Sequence, residues 1–366
     1  MKINKLIFLL ATLNEFYILN LGRIFDFVIY FLTFLIFIFQ AKKLKINQAL
    51  FPLLIIYFIL GSVINSQFRL SFALIMGLFL FIAFDYEAIT KSFFFKVLSL
   101  HICFFLLQIL LFYLFNYHLS IADFFSRYLD TSRNLYSDLN FYRPSGLYLE
   151  PNAFCVNILF LLIIGNKFIK DKHIYVSALV MILSLSLFGI ASGIMIAFYT
   201  YFIDKRKLSL KKLSIGFFIL TGFLLLFIKY IDYENTITYG RILSISEGND
   251  ASYDARFNSG ETSLSDFIFP KFLDFELYHT ATGINMFSVI IYSLGFLGII
   301  LLSYMTKKSL KDRKTFFMLL VFFSYPYIAY SILFVAFKSY YTQNKNNDRY
   351  NNALLRKAFV NGKSSK

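Results

Sequence analysis

From Ile174 to Ile203 the chain runs 30 residues without a formal charge, and Lys172 and Lys205 stand just outside the two ends. A membrane-spanning helix needs roughly 20 apolar residues. The run is therefore long for one crossing and short for two. Cytoplasmic loops carry the excess of Lys and Arg in membrane proteins. Two basic flanks belong on one side, so the run should cross twice. Gly189, Ser192 and Gly193 then mark the bend or a close approach of the two helices.

This run has companions. Further apolar stretches cover about 4–21, 24–40, 49–64, 70–84, 93–116, 152–165, 213–231 and 284–305. Residues 315–341 carry Pro326 in their middle and read as two short spans. One span there would put the basic tail, 342–366, outside; two keep it inside. The first stretch resembles a signal peptide, but Asn14 and Glu15 follow it in place of a small-residue cleavage site.

The expectation is an all-α, polytopic membrane protein. It would have about twelve transmembrane helices, both termini in the cytoplasm, and one integral domain over 1–366. Composition agrees: 58% of residues are hydrophobic and 16% charged, where soluble domains average about 25% charged. An ordinary cytosolic enzyme, a disordered chain and a disulfide scaffold are excluded. Continuous apolar runs, in place of alternating ones, exclude an outer-membrane barrel.

The net charge of +15 is not a nucleic-acid signal. Sixteen positives sit in four short loops: Lys42–Lys45, Lys167–Lys172, Lys205–Lys212 and Lys307–Lys314. That is the positive-inside pattern of an inner (plasma) membrane protein. Cys103 and Cys155 read as small buried apolar residues, and the four scattered histidines show no metal-ligand spacing. No metal and no cofactor is expected. No internal repeat is visible, which weakens transporter folds.

Two polar stretches, 117–151 and 232–283, form large outer loops. Fourteen of the sixteen inner positives are Lys, whereas five of the six in these loops are Arg. They are Arg127, Arg133, Arg143, Arg241 and Arg256, with Lys271 the exception. Arginine presents a planar fork that binds phosphate through two hydrogen bonds. The plainer account is pairing with local acids, nine of which lie in the second loop. Glu15 and Asp26 lie within the apolar runs, where Asp26 can pair with Arg23.

The first loop ends Arg143-Pro-Ser-Gly-Leu-Tyr-Leu-Glu150-Pro-Asn152. Pro151 suits a first helical turn, and Glu150 suits the positive helix N-terminus. Glu150 is thus a helix-start acid, or a general base. This segment resembles the Wzy-type O-antigen or capsule repeat-unit polymerases. Gly248-Asn-Asp-Ala-Ser-Tyr-Asp-Ala-Arg256 is similar to an element of the wider O-antigen polymerase and ligase superfamily. Gly283-Ile-Asn285, leading to Gly295-Phe-Leu-Gly298, is similar to its Asn-led late helix. The Ser184–Gly193 bend falls where that family has a Ser-rich break.

Two departures lean away from ligase. Ile284 stands where ligases have His before Asn285, and Ala191-Ser192-Gly193 lacks the ligase Arg. The resemblance implies a GT-C-like membrane glycosyltransferase acting on an undecaprenyl-pyrophosphate-linked glycan. A chain-length regulator and a flippase would be its partners, besides membrane lipid.

Arg143 and Arg256 would then stabilise the departing pyrophosphate, with Arg241 and Arg133 behind them. Glu150, Asp254 or His279 would serve as base, and Asn152 and Asn285 would bind substrate. The alternatives are an O-antigen ligase and, from another class, a lipid-linked oligosaccharide flippase or other transporter.

Overall fold

The computed structural model describes residues 2–13, 24–40, 55–56, 59–60, 63, 68–119, 135–136, 141–148, 150–203, 290–291, 294–310, 312–323 and 331–343. The helices are α1 (Lys2–Ala11), α2 (Ile24–Gln40), α3 (Phe68–Ala83), α4 (Lys91–Phe115), α5 (Pro151–Ile164), α6 (Asp171–Leu183), α7 (Leu187–Phe198), α8 (Phe296–Ser309) and α9 (Arg313–Phe322). A further helix, α10, covers 331–343. The class is all-α. Among the described residues, the one sheet is a two-residue ribbon in the first polar stretch, pairing Leu135 with Tyr142 and Tyr136 with Phe141.

Local chemistry explains the helix ends. The Thr90 side chain accepts from Phe93 N–H to start α4, and Asn116, in the left-handed region at φ 50°, stops it. Pro151 opens α5. Asp312 caps α9 through Lys314 N–H and also accepts from the Thr315 hydroxyl at 2.6 Å.

α5 sits at the centre. Every residue from Ala153 to Ile164 is buried, as suits a helix that is apolar all round. It packs against α6, α7 and α9, while α8 packs on α9, and α1 and α3 on α2.

The 174–203 run is a helical hairpin. It turns at Ser184-Leu185, with Leu185 at φ 55°, a left-handed conformation uncommon for a bulky side chain. The glycines lie on the contact face, away from the turn. A Cβ at Gly189 would stand 2.6 Å from the Met181 carbonyl, and one at Gly193 would stand 2.6 Å from the Ala178 carbonyl.

Among the described residues, Lys91–Phe115 is long and apolar enough to cross a membrane. Phe72–Ala83, Pro151–Ile164 and Phe188–Phe202 are apolar but shorter. Three expectations are corrected. The late helix, expected over 284–305, is broken at Gly295 (φ 56°). The chain doubles back there, so that a Cβ on Gly298 would meet the Ile290 carbonyl at 2.5 Å. Lys307 and Lys308 close α8 and Arg313 and Lys314 open α9, so the basic loop expected there is mostly helix ends. Cys103 is exposed on α4, whereas Cys155 is buried.

The molecule has two distinct ends. At one, segments far apart in sequence meet through basic and polar side chains. Lys167 reaches Glu87 at 3.4 Å and lies 4.0 Å over the Tyr86 ring. Arg313 reaches Asp171 at 3.4 Å and Asn166 at 3.1 Å. Tyr86 donates to the Ile164 carbonyl and accepts from Gln343. Burial, aided by the Glu87 charge, pushes the Tyr86 phenol above its ordinary range, so it stays a donor. Tyr199 likewise donates to the Ser309 carbonyl. The other end holds the Arg143–Asn152 segment.

Candidate functional site

The segment before α5 is a built turn. Gly146 sits at φ 60°, and a Cβ there would meet the Phe154 ring at 2.8 Å. That ring cannot step aside easily, because it stacks on Phe105 at 4.6 Å and 9°. Only glycine satisfies both the backbone angle and the close approach.

Above the turn, Gln108 projects from α4. Its Oε1 accepts from Ser145 N–H (3.1 Å) and Gly146 N–H (2.7 Å). Its Nε2 donates to the carbonyls of Gly146 and Leu119, both at 3.0 Å. Tyr142 donates to the same Leu119 carbonyl at 3.2 Å.

Tyr148 forms a second attachment. Its hydroxyl donates to the Thr12 carbonyl at 2.7 Å and lies 3.3 Å from His101 Nδ1, with the two rings stacked at 5.5 Å. A phenol has one proton to give. His101 Nδ1 therefore carries the hydrogen toward Tyr148, and Nε2 is the acceptor. His101 Nε2 is buried without a hydrogen-bond partner among the described residues.

Tyr148→Phe should cost about 1–3 kcal/mol, the penalty for stranding buried polar groups. A thermal melt in detergent checks it; an unchanged midpoint would remove this attachment from the account.

Arg143 is half-buried at the entrance to the turn. Cys155 Sγ lies 3.1 Å from Ser184 Oγ and 3.7 Å from Ser186 Oγ. Cys155 thus ties the start of α5, which the Arg143 segment enters, to the Ser184–Ser186 break. Glu150 is the N-cap residue of α5, yet its side chain makes no capping bond to that helix. Asn152 Oδ1 is buried and unmatched among the described residues.

Of the residues singled out from sequence, Arg143, Glu150 and Asn152 therefore share one segment. Arg133, Arg241, Asp254, Arg256, His279 and Asn285 lie outside the described residues, as do Glu15 and the Asp26 side chain. Among the described residues, no group of three or more His, Cys, Asp or Glu is placed to hold a metal ion.

Gln108, His101 and Tyr148 were not foreseen as a set. One signal was available: a single amide and a single imidazole in the charge-free part of α4 that follows Lys96. Polar groups in such a helix are costly unless partnered.

No protein-family model, no curated protein and no solved structure matches this chain.

Proposed function

We propose that this chain is an integral membrane glycosyltransferase. In this reading it polymerises undecaprenyl-pyrophosphate-linked repeat units into a surface polysaccharide, O-antigen or capsule, at the outer face of the bacterial inner membrane. The observation that carries the proposal is the Arg143–Asn152 segment. Its motif resembles the polymerases, and it is held as one rigid turn at the end of the bundle opposite the basic residues.

The membrane setting draws support from surface chemistry. Large apolar side chains stand exposed on helix faces, among them Leu114 (69%), Phe115 (71%) and Leu297 (68%). Water would penalise such faces, and acyl chains would not. The basic end is then cytoplasmic. Taken with the sequence pattern, about twelve spans remain the proposed architecture.

The chemistry asked of the site is a displacement at an anomeric carbon. An acceptor hydroxyl oxygen bonds to that carbon as its bond to the pyrophosphate oxygen breaks. The acceptor proton passes to a base, a role this proposal gives to Glu150. Arg143 compensates the charge that develops on the leaving pyrophosphate, a role Arg256 shares in this proposal. Asn152 Oδ1 offers an acceptor for a sugar hydroxyl.

The test is the surface-glycan ladder of a strain lacking this chain. Glycan cut to a single repeat unit on its final carrier, restored by the wild-type chain, is the expected result. Long chains stranded on the lipid carrier would point to a ligase. Repeat units trapped on the cytoplasmic face would point to a flippase. An unchanged ladder would overturn the reading.

A further inference from the structure

We infer that Gln108 is a positioning residue that closes the base of the first polar loop and sets the placement of the Arg143–Glu150 segment. Its catalytic consequence rests on the glycosyltransferase reading; its structural part does not.

The argument starts from what a primary amide can do. It has two donor hydrogens and one oxygen with two lone pairs. All four capacities of Gln108 are used, and every partner is backbone: two N–H groups on Oε1 and two carbonyls on Nε2. The orientation of the amide is therefore dictated, because a flipped amide would set donors against donors. The side chain is fully buried, at 0% exposure, so water cannot substitute for any of these bonds.

The partners also matter by their place in the chain. Leu119 lies near the start of the polar stretch after α4, and Ser145 and Gly146 lie near its end. One side chain thus ties the start of the segment to its finish, and both to the transmembrane helix. The left-handed turn at Gly146 lets two consecutive N–H groups converge on one oxygen. Arg143 lies two residues before this clasp, and Glu150 four residues after it. Their separation from α4, and the entry of the chain into α5, follow from where Gln108 holds the turn. Tyr148 ties the same turn to Thr12, just past α1, and to His101 of α4, so release at Gln108 leaves the turn held from its Tyr148 side.

The experiment compares Gln108→Met with Gln108→Glu in membranes. Methionine keeps the length and loses every bond. Glutamate keeps the oxygen that receives Ser145 and Gly146. Each variant is made in a Cys103→Ser background, with and without Ser145→Cys as a reporter for a membrane-impermeant maleimide.

The buried reporter should be protected when Gln108 is present and should label readily in Gln108→Met. Turnover should fall about 10²-fold in Gln108→Met, the scale of loss from a displacement of about 1 Å at reacting groups. KM for the lipid-linked substrate should change little. Gln108→Glu, which keeps the acceptor for the two N–H groups but loses the amide donors, should give protection and turnover between those of Gln108→Met and wild type.

Unchanged labelling in Gln108→Met would overturn the inference. So would equal losses in both variants with a matching fall in membrane abundance, since that marks general destabilisation. Normal polymerisation by an Arg143→Ala variant would instead sink the glycosyltransferase role of this segment, while the labelling contrast would still decide the placement.

Discussion

Arg143→Ala is expected to reduce the rate of polymer formation by about 10²–10³-fold, the range found when one preorganised charge-stabilising donor is removed from an active site. Membrane abundance should stay near wild type. Arg143 is half-buried in the coil that enters the turn, and the fold-defining bonds of that turn come from Gln108 and Tyr148. Arg143→Lys separates charge from geometry. Lysine keeps the positive charge and loses the planar fork that grips a phosphate through two bonds. Its activity should therefore fall between wild type and alanine. The measurement is the glycan ladder together with the initial rate in isolated membranes. A full-length ladder from Arg143→Ala would falsify the assigned role.

Gly189→Val should strongly disrupt the described core. The first added carbon would meet the Met181 carbonyl, Ser184 Oγ and Cys155 Sγ, each at 2.6 Å. Two of these contacts belong to α6 and its turn, and the third to α5. The hairpin would have to part from both itself and the central helix. Overpacking of this kind costs about 1–3 kcal/mol for one added group, and a β-branched side chain adds a second. Each kcal/mol lowers the melting point by about 2–4 °C in a domain of roughly 150–250 residues. Gly189→Ala should show the smaller fall and Gly189→Val the larger. Activity should drop with stability, because the Ser184–Ser186 break packs on Cys155 near the start of α5, the helix that the Arg143 segment enters. Equal melting points for all three proteins would mean that α6 and α7 do not approach as closely as described.

Much of the helical plan is legible in the sequence. The boundaries of α3, α4 and α5 fall within two residues of the expected 70–84, 93–116 and 152–165. The reason is local. An apolar run stays helical until a polar group or a turn former ends it, and Thr90, Asn116 and Pro151 act on their own neighbours. Two helices in 315–341 were legible in the same way, from Pro326. The break at Gly295 was not. Gly295 and Gly298 read as part of a continuous apolar helix, and only the return of Ile290 against Gly298 shows the chain doubling back there.

The candidate site divides along the same line. Arg143, Glu150 and Asn152 stand within ten residues, so their shared motif could be read directly from the chain. The amide that holds them could not. Gln108 meets groups 11, 37 and 38 residues away, and Tyr148 meets Thr12 across 136. Such bonds leave no period and no spacing in a sequence, because they depend on which helices pack side by side. Sequence alone therefore determined an all-α chain with its basic residues concentrated in a few short segments and its arginines in the polar stretches. Tertiary structure decided which polar side chains meet in the buried interior, where each unpaired group is costly enough to dictate the geometry of the turn.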